Sequence, residues 1–516
     1  MTTPRDPHLG RRPVLLGTTA GLLAAASPVR TASAAPGQLR GRLTLPSGVQ
    51  SGDVSTDRAV LWARSSGPGR LVARVGKGRL VRGPEVAEDS DFTGRIELRG
   101  LRPGREQAAT LWFEGEDGSL GETATLTFRT GDRQPAPTSF VWTGDTAGQG
   151  WGINPDLGGM TAYATMAATR PDFFVHAGDT VYSDGPLQET VVEPDGQVWR
   201  NLLIPEVTTV AETLSEFRAR HRYNLMDDNI RRMYAEVPVL AQWDDHETTN
   251  NWYPGEILTD ERYTEKRVDV LAARARRAWQ EYQPIGGATV RGRGRDGFAA
   301  ARIYRKVERG AHLDVFCLDM RTHKSPNTAN TEAGPTPVLG GQQVEWLIRE
   351  LRRSRATWKV VSADLPLGLV VPDGTAQEGV GNADPGAPLG REQEIARVLS
   401  AIKRYGVRNV VWITADVHYC AAHHYSPERA SFRDFDPFWE LVAGPINAGT
   451  FGPNALDATF GPEVAFSKVA DYPNQSPRGG NQFFGHVAID EAGLLTASLR
   501  DTAGTVLWEK ALEPAE

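Results

Sequence analysis

The stretch 173-FFVHAGDTVYSDG-185 decides how the chain is read. Phe173 to Ala177 form a continuous apolar run, as expected of a strand covered on both faces. The run breaks at Gly178, where the chain can turn sharply, and Asp179, Tyr182 and Asp184 follow closely. A buried strand that ends by presenting a carboxylate and a phenol needs a reason. His176, inside the run, reads as a packed or supporting histidine rather than a ligand. Asp184 reads as a solvated turn residue.

The same pattern recurs downstream. "SFVWTGD" ends at Asp145, and "VPVLAQWDDHE" ends at Asp244, Asp245, His246 and Glu247. "WKVVSADLP" ends at Asp364, and "NVVWITADVH" ends at Asp416 and His418. Together with the opening stretch, five apolar strands each present an oxygen or nitrogen ligand at their carboxyl ends, the edge where open α/β sheets bind ligands. So many carboxylates cannot converge without cations to neutralise them. A metal centre with more than one ion is the economical reading.

Between these strands lie segments of helical periodicity: "LSEFRARHRYNLMDDNIRRMYAEV", "EKRVDVLAARARRAWQEYQP", "GGQQVEWLIRELRRS" and "REQEIARVLSAIKRYG". Residues 36–134 read differently. "TDRAVLWARSS", "GRLVARVGKG", "GRIELRGL", "QAATLWFEGEDG" and "ETATLTFRTGD" are short β segments punctuated by Gly, Pro and Asp, as in a small sandwich. "GDRQPAPTS" reads as the linker out of it, and residues 137–516 as the second domain, which returns to strands at its end.

Residues 1–34 carry Arg11-Arg12, a short apolar run and the small-residue pattern Ala32-Ser33-Ala34. They read as an export signal of the twin-arginine type, with Pro13 departing from the usual pattern. The expectation is a secreted or cell-envelope protein that meets the export machinery, with no transmembrane helix in the mature chain. The formal net charge of -7 gives no basic footprint for nucleic acid. It also argues against recruitment to anionic surfaces by charge alone. Cys317 and Cys420 are the two cysteines. Buried free thiols are the simple reading, and their spacing leaves a bridge open.

These residues resemble the calcineurin-like metallophosphoesterases, and most of all their alkaline phosphatase D (PhoD-like) branch. "GDTVY" matches a Gly-Asp-x-x-Tyr element shared with purple acid phosphatases. "WDDHE" followed by "TTNNW" matches the branch's most specific signature, and "LDMR", "LGGQQVEWL", "WKVVSADLP" and "ADVH" follow in order. "SGVQSGDVSTDRAVLWAR" resembles the start of the β-sandwich that precedes the catalytic domain in that branch.

The resemblance implies an α+β fold, with a four-layer α/β/β/α metallophosphoesterase domain after the sandwich. It implies that Asp179 bridges two metals, with Asp145, Tyr182 and His418 completing the first site. Asp245, Asp416 and Asp364 would serve the second, Asp364 being the weakest match. His246 would act beside the substrate phosphate. Read from the residues themselves, Asn250 or Asn251, just beyond "DDHETT", is a candidate to hydrogen-bond phosphate, and Arg321 and His323 are candidates to line the site. Asp145 stands where some members carry a cysteine iron ligand, and Ala415 where glycine is more usual.

A phenolate ligand suits Fe³⁺ at the first site. A carboxylate-rich second site suits Ca²⁺, or Mn²⁺ or Mg²⁺, with Zn²⁺ as a further candidate. The expected function is hydrolysis of phosphomonoesters and phosphodiesters by metal-activated hydroxide, acting on small phosphoester substrates. Two alternatives are a phospholipase D-type phosphodiesterase acting on phospholipid, and a non-catalytic envelope binding protein.

Overall fold

The computed structural model describes residues 42–286 and 301–515. The export segment expected over residues 1–34 lies outside the described residues. In chain order, seven strands come first: β1 (Val49–Gly52), β2 (Arg58–Arg64), β3 (Gly69–Val75), β4 (Arg79–Val86), β5 (Thr93–Arg99), β6 (Glu106–Glu114) and β7 (Ala124–Arg129). β1 and β4 were not legible in the sequence. β4 is an exposed edge strand with little apolar patterning.

The first α/β half follows. It comprises β8 (Thr138–Thr143), α1 (Thr161–Ala168), β9 (Phe173–Ala177), the hairpin β10 (Thr190–Val192) and β11 (Val198–Arg200), α2 (Leu214–Asn224), α3 (Asp228–Glu236), β12 (Val239–Gln242) and α4 (Val268–Tyr282). The second half holds β13 (Arg305–Glu308), β14 (Leu313–Cys317), α5 (Gly341–Arg353), β15 (Trp358–Ser362), the short hairpin β16 (Pro372–Asp373) and β17 (Ala376–Gln377), α6 (Glu392–Arg404) and β18 (Val410–Thr414). It closes with β19 (Cys420–Tyr425), β20 (Phe438–Val442), β21 (Pro462–Lys468), β22 (Phe483–Ile489), β23 (Leu495–Asp501) and β24 (Val506–Leu512).

The single helical stretch expected at 214–237 is two helices. Thr213 and Glu216 form a capping box on α2, and Asp227 caps α3 through the amides of Asn229 and Ile230. Two start signals so close together force a break at Leu225 and Met226.

Two large sheets stack face to face. One is nine-stranded, in the order β24-β23-β22-β8-β9-β12-β1-β2-β5; the other is seven-stranded, β13-β14-β15-β18-β20-β19-β21. Phe140, Trp142, Phe173, Val175 and Leu240 of the first pack on Val315, Val360, Val411 and Ile413 of the second. On the outer face of the first sheet, Phe174, Val141 and Val239 pack against Tyr163 and Met166 of α1, Met233 of α3 and Trp279 of α4. On the outer face of the second, Phe316, Val361 and Trp412 pack against α5 and α6. This is the four-layer α/β/β/α arrangement. It explains the unbroken apolar run of β9, since Phe173 and Val175 face one layer and Phe174 faces the other. Burying each such aromatic or aliphatic side chain contributes about 1.5–3 kcal/mol.

A four-stranded sheet, β4-β3-β6-β7, stacks over β1, β2 and β5 through Leu61, Leu71, Ile96, Leu111 and Phe128. The sandwich thus shares strands with the large sheet, because β1 runs parallel to β12. Cys317 and Cys420 are both buried free thiols, so the bridge that the spacing left open is not formed.

Strands β8, β9 and β12 are mutually parallel, as are β14, β15, β18 and β20. Their carboxyl ends therefore emerge along one edge of the stacked sheets.

Candidate metal centre

That edge gathers the acidic strand ends. Asp145 follows β8, Asp179 follows β9, Asp244 and Asp245 follow β12, Asp364 follows β15, and Asp416 and His418 follow β18. The backbone bends hard to present them. Asp145, Asp179, Asp416 and His418 all have positive φ, at 67°, 50°, 63° and 58°. Left-handed geometry costs a non-glycine residue of order 1–3 kcal/mol and concentrates at functional sites. Gly178 makes one close approach: with φ at 111°, a Cβ there would lie 2.6 Å from Asp244 Cβ. A Cβ on Gly148 would lie 2.4 Å from the Tyr182 ring.

Three groups of ligand atoms form, each with its atoms within 4.8 Å of one another. They are Asp145, Asp179 and His418; Asp179, Asp245 and His246; and Asp244, Asp245 and Asp416. Asp179 and Asp245 each belong to two of them, so the groups form a chain. Tyr182 Oη lies 2.8 Å from His418 Nε2, and His418 Nε2 lies 3.4 Å from Asp145 Oδ1. His418 Nδ1 donates to the Gly449 carbonyl at 2.5 Å, which leaves Nε2 with its lone pair facing the carboxylates. This is the tautomer a metal-ligating histidine needs.

The donor set suits cations. Among the described residues, both oxygens of Asp145, both of Asp364, Asp244 Oδ2 and Asp245 Oδ1 are buried with no hydrogen-bond partner. Orphaned carboxylate oxygens are costly unless a positive charge answers them. Burial pushes the Asp179, Asp364 and Asp416 carboxyls well up, and neighbouring carboxylates push them further: Asp245 and Asp244 for Asp179, and Asp244 for the other two. Asp244 rises to about 6, again mainly through burial. Burial, then Asp179 and Asp145, likewise hold Tyr182 in its phenol form. Bound cations reverse all of these directions.

Tyr182 packs against His246 with ring centroids 4.2 Å apart and the rings tilted by 30°. His246 Nδ1 lies 2.7 Å from Asp184 Oδ1, and the Asn250 amide donates to Asp184 Oδ2 at 2.8 Å. Asp184 is therefore not the solvated turn residue expected from the sequence. It is buried and holds the histidine. Burial alone would lower His246, but Asp184 and then Asp245 push it up to about 10. Asn250 is exposed, and its backbone serves the site.

Arg321 lies beneath the carboxylates, fully buried, rather than at an open surface. Its Nε donates to Asp244 Oδ1 at 2.5 Å. It pairs with Glu378, and it stands 3.6 Å from Asp364 and 3.8 Å from Asp416. Lys324 Nζ reaches the same Glu378 at 3.0 Å. This makes Arg321 an internal counter-charge. Asp364 belongs with it, outside the three ligand groups.

Glu247 ties the two acidic turns together. It accepts from the Thr180 amide and hydroxyl at 2.6 Å each and from the Asp244 amide at 2.7 Å. His176 bonds Thr146 Oγ1 at 2.9 Å, away from the ligand groups. Sequence reasoning left Asp244 and Glu247 without roles although both sit in "WDDHE". Glu378 and Lys324 come from loops, where no strand end marked them.

The family model for PhoD-like phosphatase matches residues 140–506, and that for the PhoD-like phosphatase N-terminal domain matches residues 30–127. Alkaline phosphatase D of Bacillus subtilis (strain 168) is 28% identical over 436 residues, covering 78% of this chain and 70% of its own. The solved structure of PhoD matches 90% of this chain and 88% of its own, with a TM-score of 0.66 at 20% identity. Purple acid phosphatase PPD1 from yellow lupin (Lupinus luteus) seeds matches 90% of this chain and 74% of its own, with a TM-score of 0.54 at 12% identity. At these identities the two solved structures speak to fold alone.

Proposed function

Because the chain belongs to the PhoD-like phosphatase family, and so is a metal-dependent phosphoric ester hydrolase, we propose that it hydrolyses small phosphomonoesters and phosphodiesters at this sheet edge. The observation that carries the reading is the chain of three ligand groups joined through Asp179 and Asp245, the middle one including His246.

Asp145, Asp179, Tyr182 and His418 would hold a first cation, and Asp179, Asp245, Asp244 and Asp416 a second. Fe³⁺ suits the first because of the phenol; Ca²⁺, or another hard divalent ion, suits the second because its donors are mostly carboxylate oxygens. When bound, the cations neutralise the carboxylates, polarise the phosphoryl oxygens and acidify the attacking water.

The chain's own residues do the rest. His246, kept cationic by Asp184, offers a proton and a positive charge to the oxygen that leaves phosphorus. Arg321 favours the ionised forms of Asp244, Asp364 and Asp416 from below, against their burial, without touching substrate. Glu247 fixes the spacing between the Asp179 and Asp245 turns.

Residues 36–134 are read as the N-terminal sandwich module and 137–516 as the catalytic domain, in line with the two family-model spans. Arg11-Arg12 and the small-residue pattern at Ala32-Ser33-Ala34 support export by the twin-arginine route to the envelope or medium.

The test is hydrolysis of p-nitrophenyl phosphate and bis-p-nitrophenyl phosphate, with phosphatidylcholine as a third substrate, before and after chelation. Activity on the first two that is lost to chelator and restored by Fe³⁺ with Ca²⁺ supports the reading. No turnover of any ester after metal restoration refutes it.

A further inference from the structure

The total charge is negative, but it is not evenly spread. Helices α5 and α6 lie side by side on the outer face of the seven-stranded sheet. They bury Val344, Leu347 and Leu351 on one and Ile395, Leu399 and Ile402 on the other. Their outer faces border a groove of about 860 Å³ lined by Arg349, Arg352, Arg353, Arg397, Arg404 and Tyr405. The helical spacings, three or four on α5 and seven on α6, put these arginines on one side of each helix. Lys403 adds a sixth cation, while Glu345, Glu350 and Asp434 are the nearby acids.

Those acids leave a surplus. Glu350 is shared by Arg349 at 3.1 Å and Arg353 at 3.8 Å, Glu345 stands 3.8 Å from Arg397, and Asp434 stands 3.4 Å from Lys403. All four cations are 40% exposed or more, so these pairs are weak and open to exchange. Among the described residues, none forms an ion pair with Arg352 or Arg404. Their guanidinium groups instead lie over the Tyr405 ring, at 4.8 Å and 6.0 Å from its centroid. The helix macrodipole accounts for cations in the last turns, but not for Arg349 and Arg397, which lie further back.

We infer that this face docks on an anionic phospholipid bilayer, with headgroup phosphates entering the groove between α5 and α6. Charge complementarity carries the assignment, since exposed cations near an anionic leaflet add attraction residue by residue. Tyr405, 45% exposed, is the amphipathic ring that settles at headgroup level. The guanidinium groups over that ring occupy the stacking surface a single-stranded nucleic acid would use. Docking is peripheral, because no helix among the described residues is long and apolar enough to cross a membrane.

The geometry leaves catalysis free. β15 begins just after α5 ends and β18 just after α6 ends. The basic helix ends therefore lie toward the edge where these strands start, whereas Asp364 and Asp416 lie where they finish. The negative total charge argued against recruitment to anionic surfaces; the segregation of charge onto one face overrides it.

The test is sedimentation of the full chain with vesicles of phosphatidylcholine alone or with added phosphatidylglycerol. Binding is expected only to the anionic vesicles and should be lost at about 0.5 M salt, where screening is short-ranged. Arg352→Gln with Arg404→Gln should weaken partition roughly 10- to 30-fold. The matching Lys pair should bind like wild type. Both variants should keep the kcat and KM of wild type on p-nitrophenyl phosphate, which reports an intact fold and a separate site. Equal binding to both vesicle types, no binding to either, or unchanged partition of the Gln pair would each overturn the assignment. So would binding to a soluble polyanion such as heparin without binding to anionic vesicles.

Discussion

His246 Nδ1 lies 2.7 Å from Asp184 Oδ1, and both residues are buried. The second Asp184 oxygen is already taken by the Asn250 amide, so the carboxylate and the ring are each held in one orientation. Asp184 is itself a member of none of the three ligand groups and meets them only through His246. Asp184→Asn should therefore lower kcat by about 10²-fold, the scale of a lost general acid. KM and bound metal should change little. Steady-state kinetics with elemental analysis separate the two, and a variant that loses its metal would show that the pair is structural.

Asp179 is shared by two ligand groups, whereas Asp145 and Asp416 each serve one. Asp179→Asn should deplete both kinds of metal at once, and kcat should fall by 10³-fold or more, as expected when paired ions are lost. Asp416→Asn should deplete only the second. Metal content of the purified variants decides it: equal losses from both would remove the bridging role from Asp179.

The assignment of iron rests on Tyr182. Its phenol is held neutral by burial and by Asp179 and Asp145, so only a strongly charged ion would bind it as phenolate. Protein loaded with Fe³⁺ should be coloured, and Tyr182→Phe should bleach it. Gly148→Ala is the subtler check, because the new methyl would press on the Tyr182 ring. It should shift or weaken the band while the second metal stays bound. A colourless, active enzyme would remove iron from the site.

Much of this was legible because parallel strands turn sequence order into spatial convergence. An apolar run ending in Asp has only one place to deliver it, the carboxyl edge, so Asp145, Asp179, Asp245, Asp416 and His418 could be placed together from sequence. Their neighbours could not all be placed. Asp184 looks like any polar residue in a turn, and only the fold shows His246 folded back onto it. Glu378 lies on a loop beside β17, and its closeness to Arg321 depends on long-range packing that leaves no local pattern. Arg321 itself read as a residue lining the site, from the motif "LDMR". The side chain turns inward, where four carboxylates hold it. Break points such as Leu225 between α2 and α3 depend on competing caps, which periodicity does not weigh.

His221 on α2 gives a prediction about stability. It is buried and stacked on Tyr282, with ring centroids 5.3 Å apart. Burial, then the charge of Arg222, pushes its pKa down to about 3. The unfolded chain would protonate it near 6.5, a proton the folded chain refuses. Stability is therefore unaffected by this group above about pH 6.5 and falls as pH drops from there toward about 3, by about 1.4 kcal/mol per pH unit. His221→Phe keeps the stacked ring and removes the proton site. At pH 5 the variant should recover about 2 kcal/mol relative to wild type, after subtraction of their difference at pH 7.5. Metal release in acid affects both proteins and cancels in that double difference. His176 and His486, also lowered by burial, preserve part of the acid sensitivity. Urea titrations at the two pH values measure it, and identical pH slopes in wild type and variant would mean that the buried imidazole is protonated in the folded chain.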